Sequence, residues 1–277
     1  MRQSERSSRN VQRVRGQGWG LALCLVTGLA TVSLPAYTAV AATGPATAAA
    51  AAATAATASR NAVVAVNPRV VEWKTELITV HLRIPILSGL ADQATQEALN
   101  QANESRALAF AKSIEKMAQE DWTGEHMAEA KAEGWFHPYE AWVDYEVKNL
   151  DDRWISLRME FYQYTGGAHG GTVVEGTTYD AKTGRQLQLK EFFPAGTDYR
   201  AIIAREVARQ IQATKDIYFP DASSHAADFA EDAFYVDHGT LVVFFGQYEL
   251  APYAAGIREF RIPTSYLSPW PARRRTE

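Results

Sequence analysis

The chain has 277 residues with a single cysteine, 22% charged residues and a formal net charge of −4. This composition excludes a disulfide-rich miniprotein, a collagen-like repeat and a strongly basic nucleic-acid binder. It is the composition of a globular chain, and it indicates no particular reaction.

Residues 1–42 have the layout of a secretory signal peptide. Arginines precede an apolar stretch from Trp19 to Leu34, and small residues then lead to Ala39-Val40-Ala41, an A-x-A pattern that signal peptidase accepts. We predict cleavage near Ala41 or Ala42, which removes Cys24 and makes the product periplasmic or secreted. The alternative is an uncleaved signal anchor, since the segment from Trp19 to Ala42 is long enough to cover the roughly 20 residues needed to span a bilayer.

Residues 43–66 are predicted to form an Ala/Thr-rich linker, because this segment has too few large apolar side chains to build a core. Residues 43–277 contain 23 basic and 31 acidic residues, so the exported part has a net charge of −8. This acidity argues against nucleic acid and anionic lipid as partners and favours a cationic partner. The acidity is explained equally well by the need to keep an exported protein soluble.

Residues 67–165 are predicted to fold as a first α+β lobe. A β-rich stretch covers 70–87, and a helix follows over about 92–119, with Asp92 as its cap and Phe110, Ile114 and Met117 on one face. From Tyr139 the hydrophobic period changes to two, which predicts strands over 139–148 and 154–164 that pair as an antiparallel hairpin.

Residues 166–270 are predicted to form a second lobe, followed by a tail over 271–277. The elements expected there are a hairpin of strands 172–179 and 186–189, a helix over 198–213 capped by Asp198 or Thr197, a central strand over 241–245 and a final strand over 258–262. Strands and helices do not alternate regularly along the chain. The predicted fold class is therefore α+β, with antiparallel sheets and packed helices in two small fused lobes.

One glycine-rich segment, YTGGAHGG at 164–171, is the first candidate site. Its four glycines permit positive φ angles and close backbone approach, so the loop can cradle a ligand or present His169 as a base. The alternative is a tight connection between two strands. The segment lacks the G-x-G-x-x-G order and precedes a strand, which excludes phosphate binding at a helix N-terminus.

The remaining residues indicate recognition more than catalysis. There is no H-E-x-x-H pattern, and a solvated acidic face explains Asp221, His225 and Asp228. We therefore predict no metal site, no cofactor and no identifiable catalytic residue. Several aromatic residues are expected on polar strand faces or in loops, where recognition and packing are equally good explanations: Tyr162, Tyr164, Tyr248, Tyr253, Trp135, Trp142 and Trp154.

A family resemblance rests on motifs in a fixed order. They are IPILSG at 84–89 with Asn100, YTGGAHG at 164–170, DAKTG at 180–184 with LQLKEFF at 187–193, and YELAPYAAG at 248–256 with Ile262-Pro263. Together they resemble a bacterial envelope domain pair of unknown function. This pair is found as the ectodomain of lysozyme-sensing anti-sigma factors and as the non-catalytic N-terminal region of peptidoglycan deacetylases.

The resemblance implies two small α+β lobes and does not imply an enzyme. The chain ends at Glu277 without a deacetylase domain, and about 15 residues precede the apolar stretch, so we expect a freestanding envelope domain. The binding residues that we predict lie in the two glycine-bearing motifs: Tyr164, Gly166, Gly167, His169, Gly170, Tyr248, Glu249, Pro252, Tyr253 and Gly256.

The predicted function is a non-enzymatic, exported binding module. Its expected partner is a lysozyme-like protein or a peptidoglycan fragment, with no nucleic acid, and with membrane contact only through an uncleaved anchor. The alternative is a hydrolase acting on peptidoglycan or another glycan, in which folding brings a carboxylate near His169.

Overall fold

The computed structural model describes residues 63–268, so the predicted signal peptide lies outside the described residues. Within this range the strands are β1 (Ala65–Lys74), β2 (Ile78–Ser88), β3 (Tyr139–Leu150), β4 (Trp154–Tyr164), β5 (Gly171–Asp180), β6 (Phe234–Asp237), β7 (Thr240–Phe245) and β8 (Arg258–Ile262). The helices are α1 (Gln93–Asp121), α2 (Gly124–Glu133) and α3 (Tyr199–Ala213). The α+β fold class is confirmed. In this part of the chain, no helix combines the length and the apolar character needed to cross a bilayer.

The first sheet has five strands in the order β1-β2-β3-β4-β5. Its neighbours are antiparallel except for β2 and β3, which are parallel. The expectation of purely antiparallel sheets is wrong for this pair. The chain leaves β2, passes through α1 and α2, and returns to start β3 at the same end, which is the kind of long crossover that parallel pairing requires.

Helix α1 packs on one face of the first sheet. Asp92 caps it as predicted, because its carboxylate accepts hydrogen bonds from the backbone N–H groups of Ala94 and Thr95. The predicted apolar face is partly wrong, since Met117 is 38% exposed. The buried face instead consists of Ala107, Ala111, Ile114 and Ala118, whose small side chains let the helix approach the strands.

The second sheet contains three antiparallel strands in the order β6-β7-β8, so the central position of β7 is as predicted. Helix α3 covers one face through Ile203, Val207 and Ile211, and it begins at the predicted cap, Asp198. The sequence analysis missed β6 and α2. Helix α2 has a single buried residue, Ala130, and therefore carries no apolar periodicity.

Strand β5 forms where a strand was predicted, but its partner differs. It pairs with β4 in the first sheet, so this sheet extends across the expected lobe boundary at 165/166. The predicted hairpin over 172–189 is present only next to its turn. Gln186 makes an isolated antiparallel bridge to Tyr179 and the Leu187 N–H donates to the Thr178 carbonyl, but the second strand does not continue, because a 3₁₀ helix begins at Leu189.

The second sheet packs against the other face of the first sheet, over β4 and β5. Tyr235, Val242 and Phe244 contact Val174 there, and Gly176 lies so close to β6 that an added Cβ would be 1.9 Å from the Phe234 carbonyl oxygen. The layers are therefore α1, the five-stranded sheet, the three-stranded sheet and α3.

A buried arginine marks the edge of this contact. The Arg158 side chain on β4 is 8% exposed and meets three carboxylates. Its Nε donates to Glu259 at 2.9 Å, and its Nη1 donates to Glu146 at 3.2 Å and to Glu160. These residues lie on β3, β4 and β8, so the cluster joins the two sheets.

The close approach at Gly176 predicts a strong substitution effect. We expect Gly176→Ala to lower the free energy of unfolding by about 2 kcal/mol or more, because the methyl group must push the sheets apart. Gly171→Ala is the matched control on the same strand, since an added Cβ there meets no atom within 4 Å. Urea denaturation measures both, and equal stability of the two variants would contradict the packing at β6.

The Arg158 cluster predicts a second difference in stability, between a variant of the cluster and a variant of an exposed ion pair. Arg158→Ala should reduce the free energy of unfolding by about 2 kcal/mol, because it removes a buried guanidinium and leaves three partly exposed carboxylates facing one another. Arg69→Ala is the control, since Arg69 is 54% exposed and its pair with Glu104 should contribute about 0–1 kcal/mol. The measurement is again chemical denaturation, and an unchanged midpoint for Arg158→Ala would count against the cluster.

Candidate binding site

The two predicted motifs meet in the structure. The loop over 165–170 joins β4 to β5, and the turn over 246–257 joins β7 to β8. The His169 ring stacks on Tyr253 with a centroid distance of 3.7 Å and an interplanar angle of 19°. Its Nε2 lies 3.3 Å from the hydroxyl of Tyr248. We call His169, Tyr248 and Tyr253 the aromatic rim.

Glycine is required at particular places in the loop. Gly166 and Gly167 have φ angles of +104° and +86°, and the Tyr164 hydroxyl donates to the Gly167 carbonyl at 3.0 Å. Gly170 is buried, and an added Cβ would lie 2.4 Å from the ring of Tyr162. These predicted residues therefore fold the loop back onto β4 and place His169 at the surface.

The turn over 246–257 is shaped by local hydrogen bonds and unusual dihedral angles. The Glu249 carboxylate accepts from the Gly246 N–H at 2.8 Å. Tyr248 has a φ of +64°, a left-handed conformation that costs a non-glycine residue about 1 kcal/mol. After Pro252, a single 3₁₀ turn ends at Gly256, whose φ of +64° and ψ of −156° are open mainly to glycine. The strain at Tyr248 holds an exposed phenol beside His169.

A glutamine that the sequence analysis missed ties the loop to the turn. The Gln247 Oε1 accepts a hydrogen bond from the backbone N–H of Thr172 at 2.8 Å. No sequence pattern distinguishes this glutamine from a solvent-exposed one, because its partner is 75 residues away. The rim is thus held by a stacking contact and by a backbone hydrogen bond.

The hydrogen bonds of His169 define its tautomer. Its Nδ1 lies 3.0 Å from the Gly170 carbonyl oxygen, which only accepts, so Nδ1 carries the proton. In the neutral ring, Nε2 then accepts from the Tyr248 hydroxyl. In these two hydrogen bonds, the partner of His169 is neither a carboxylate nor a serine hydroxyl. The arrangement presents an oriented imidazole and two phenols to solvent.

An open groove of about 460 Å³ borders the rim. The turn contributes Gln247, Ala255 and Gly256 to its wall. The opposite wall consists of charged residues, among them the three carboxylates that meet Arg158: Glu146, Lys148, Arg158, Glu160 and Glu259. We call this space the acidic groove.

The other aromatic candidates separate into core and surface residues. Trp154 is 5% exposed and packs in the core of the second sheet, so it is not a recognition residue. Trp135 is 42% exposed but contacts Trp122 at a centroid distance of 5.7 Å. Trp142 is 43% exposed on β3.

The acidic segment near His225 contains a short 3₁₀ helix rather than an α-helix. His225 Nδ1 lies 2.8 Å from the Asp228 carboxylate, and Asp221 lies on the other side of the ring. The hydrogen bond to Asp228 raises the pKa of His225. No group of three or more His, Cys, Asp or Glu side chains is arranged to hold a metal ion anywhere in residues 63–268.

Two protein-family models match the chain. Residues 71–172 match the family described as Deacetylase PdaC. Residues 190–265 match the family described as Protein of unknown function (DUF3298). The rim draws one loop from the first matched region and one turn from the second.

Two curated relatives are similar over shorter segments. The chain is 25% identical over 131 residues to the peptidoglycan-N-acetylmuramic acid deacetylase PdaC of Bacillus subtilis, which covers 45% of this chain and 28% of the deacetylase. It is 28% identical over 118 residues to the esterase Rv3036c of Mycobacterium tuberculosis, covering 41% of this chain and 51% of the esterase. The similarity thus spans about half or less of each relative.

A solved structure shares the fold. A DUF3298-family protein of Bacteroides fragilis superposes with a TM-score of 0.56 at 18% identity, covering 75% of this chain and 94% of that protein. The chain is thus similar to the PdaC family over residues 71–172 and to the DUF3298 family over residues 190–265, and its likeness to the solved structure lies in the fold.

Proposed function

We propose that the protein is an exported, non-enzymatic binding module of the cell envelope, and that the aromatic rim recognises a cationic envelope protein of the lysozyme class. The two matched families associate the chain with the envelope. The observation that carries the proposal is the contact of His169 with Tyr248 and Tyr253 at the surface.

The rim has the chemistry of a protein-recognition surface. Tyrosine and histidine combine an apolar ring with a polar group, and tyrosine is enriched among residues that dominate binding energy. Tyr248 is 54% exposed although its backbone is strained. Because stacking and the Gln247 hydrogen bond already order the rings, binding would immobilise few additional groups.

Charge supports a cationic partner. Glu146, Glu160 and Glu259 line the groove beside the rim, and their side chains are 55%, 42% and 36% exposed. Lys148 and Arg158 line it too and pair with them, so three carboxylates against two cations leave the groove lining with one net negative charge. Residues 43–277 carry a net charge of −8. Such a field steers positively charged proteins toward the surface and fixes their orientation.

A peptidoglycan fragment is the other envelope ligand considered for the same rim. Exposed aromatic rings stack on sugars as readily as on protein side chains, so the rim alone does not separate the two. The charge of the groove favours the protein, and a binding experiment has to include both.

The alternative function is a hydrolase acting on peptidoglycan or another glycan through His169. It is favoured by the hydroxyl of Tyr248 at 3.3 Å from Nε2 and by the names of the two curated relatives, a deacetylase and an esterase. A general base also needs a group that orients it, and the Gly170 carbonyl is the group present here.

The proposal predicts that Tyr248→Ala weakens binding of a basic lysozyme at least about tenfold, as expected for a rim residue of high binding energy. Leu150→Ala is the matched control, because Leu150 is 41% exposed at the opposite end of the β3–β4 hairpin. Surface plasmon resonance with the exported chain, at low and high salt, measures both variants against lysozymes and soluble peptidoglycan fragments. Affinity should fall with salt, and no detectable lysozyme binding at low salt would overturn the proposal.

The hydrolase alternative predicts turnover of labelled peptidoglycan, whereas the non-enzymatic proposal predicts none. We expect the wild-type protein and His169→Ala to release no soluble product from labelled peptidoglycan. The melting temperature of His169→Ala serves as the folding control. Turnover by the wild type that disappears in a stably folded His169→Ala variant would establish the hydrolase and contradict the non-enzymatic proposal.

A further inference from the structure

The second sheet leaves part of the first sheet uncovered. It packs over β5, the N-terminal part of β4 and the C-terminal end of β3, where the Lys148 ammonium group lies over the Tyr235 ring. Among residues 63–268, the same face of β2, the N-terminal half of β3 and the C-terminal end of β4 remain open. On this open face, His81, Trp142 and Tyr162 lie directly opposite one another on three neighbouring strands. Side chains that are directly opposite point to the same face. We call these three residues the aromatic row.

Packing in the core does not explain why the aromatic row faces solvent. Trp142 is 43% exposed, while its strand neighbours Ala141 and Val143 are fully buried on the face of α1. The His81 ring lies 5.1 Å from the Trp142 ring at an angle of 39°. A single exposed tryptophan is ordinary, but several aromatic side chains that adjoin one another on the solvent side of a sheet form a patch of the kind that marks interaction sites.

The row has the dimensions of a sugar-binding platform. Neighbouring strands lie about 4.8 Å apart, so three strands place rings over about 10 Å, a length comparable with two linked pyranose rings. At its β4 end, the Tyr162 ring packs against Gly170, next to the loop that carries His169. The row therefore leads toward the aromatic rim.

The charges around the row are mainly negative. The residues in and beside the row in the strand register include four carboxylates and two cations: Glu72, Glu140, Asp144, Glu160, Lys74 and Arg83. Three of these carboxylates already have a partner, since Glu72 contacts His81, Asp144 pairs with Arg83 and Glu160 pairs with Arg158. Glu140, next to Trp142 on β3, is the carboxylate that a ligand can pair with most directly. Aromatic faces attract ammonium groups through their quadrupoles, and carboxylates pair with the same groups. A ligand that complements both features carries amines on a chain of rings.

We propose that this open face binds a glycan whose amino sugars have free ammonium groups, that is, a de-N-acetylated amino-sugar chain. The inference rests on the proposed function as an envelope binding module and adds a ligand class on a second surface. Sugar rings stack on Trp142 and Tyr162, and the ammonium groups pair with carboxylates such as Glu140. An N-acetylated chain offers the same rings but neutral amides, so it supplies no charged partner for Glu140.

The test compares a chitosan hexamer with its fully N-acetylated counterpart by isothermal titration calorimetry on the exported chain. We expect the chitosan hexamer to bind at least tenfold more tightly than the N-acetylated one. Trp142→Ala should reduce chitosan affinity at least tenfold. Val147→Ala is the matched control, because Val147 lies on the same strand, on the other face, and is 38% exposed.

A second variant separates the contribution of charge from that of ring stacking, and it guards against mistaking a loss of folding for a loss of binding. Glu140→Gln keeps the size of the side chain, and it should weaken binding of the chitosan hexamer while leaving the N-acetylated hexamer unaffected. Equal affinity for the two glycans, or chitosan binding that survives in both Trp142→Ala and Glu140→Gln, would overturn the inference. Lysozyme binding that depends on Trp142 instead of Tyr248 would also overturn it, by making the face a protein-docking surface.

These outcomes leave the proposed function separately testable. Tyr248→Ala reports on the rim, and Trp142→Ala reports on the open face. If lysozyme binding requires Tyr248 while the chitosan hexamer shows no binding, the rim proposal stands and the glycan inference fails. If the chitosan hexamer binds through Trp142 while lysozyme binding does not require Tyr248, the open face is a binding surface and the rim proposal fails.

Discussion

The close contact between the two sheets at Gly176 is the constraint on which the rest of the architecture depends. A side chain at this position would collide with the backbone of β6, so glycine allows the second sheet to lie directly on β4 and β5. This contact fixes the position of β7 and β8, and with them the turn that carries Tyr248 and Tyr253. The rim forms because that turn reaches the loop after β4, where Gln247 joins the backbone of Thr172.

Arg158 determines where the inter-sheet contact ends. On one side of it, Ser156 is fully buried and its hydroxyl accepts a hydrogen bond from the Val236 N–H of β6. On the other side, Glu160 and Tyr162 are only half-buried. Removing a guanidinium from water is unfavourable unless its charge is compensated, and three carboxylates from both sheets provide that compensation. The same carboxylates make the groove acidic, so one structural requirement also shapes the surface next to the rim.

Much of the local structure could be predicted because it depends on near neighbours. Asp92 and Asp198 cap their helices through hydrogen bonds within three residues, and the period-two pattern from Tyr139 identified β3 and β4. Predictions failed where the packing or pairing of a segment depends on residues far away in the sequence. Alanines formed the buried face of α1 because the sheet lies close to the helix, and β5 pairs with β4 along its length but with the segment that follows it only at one bridge.

The sequence by itself determined the α+β class, the two capped helices, the glycine positions and the two motifs that now face each other. Each of these follows from local backbone preference or from hydrophobic periodicity, which neighbouring residues carry. Only the tertiary structure decided that His169 stacks on Tyr253, that Arg158 gathers three carboxylates, and that Trp142 lies on an uncovered sheet face. Those outcomes depend on which surfaces the two sheets bury against each other, and residues 79 or more positions apart jointly set that choice.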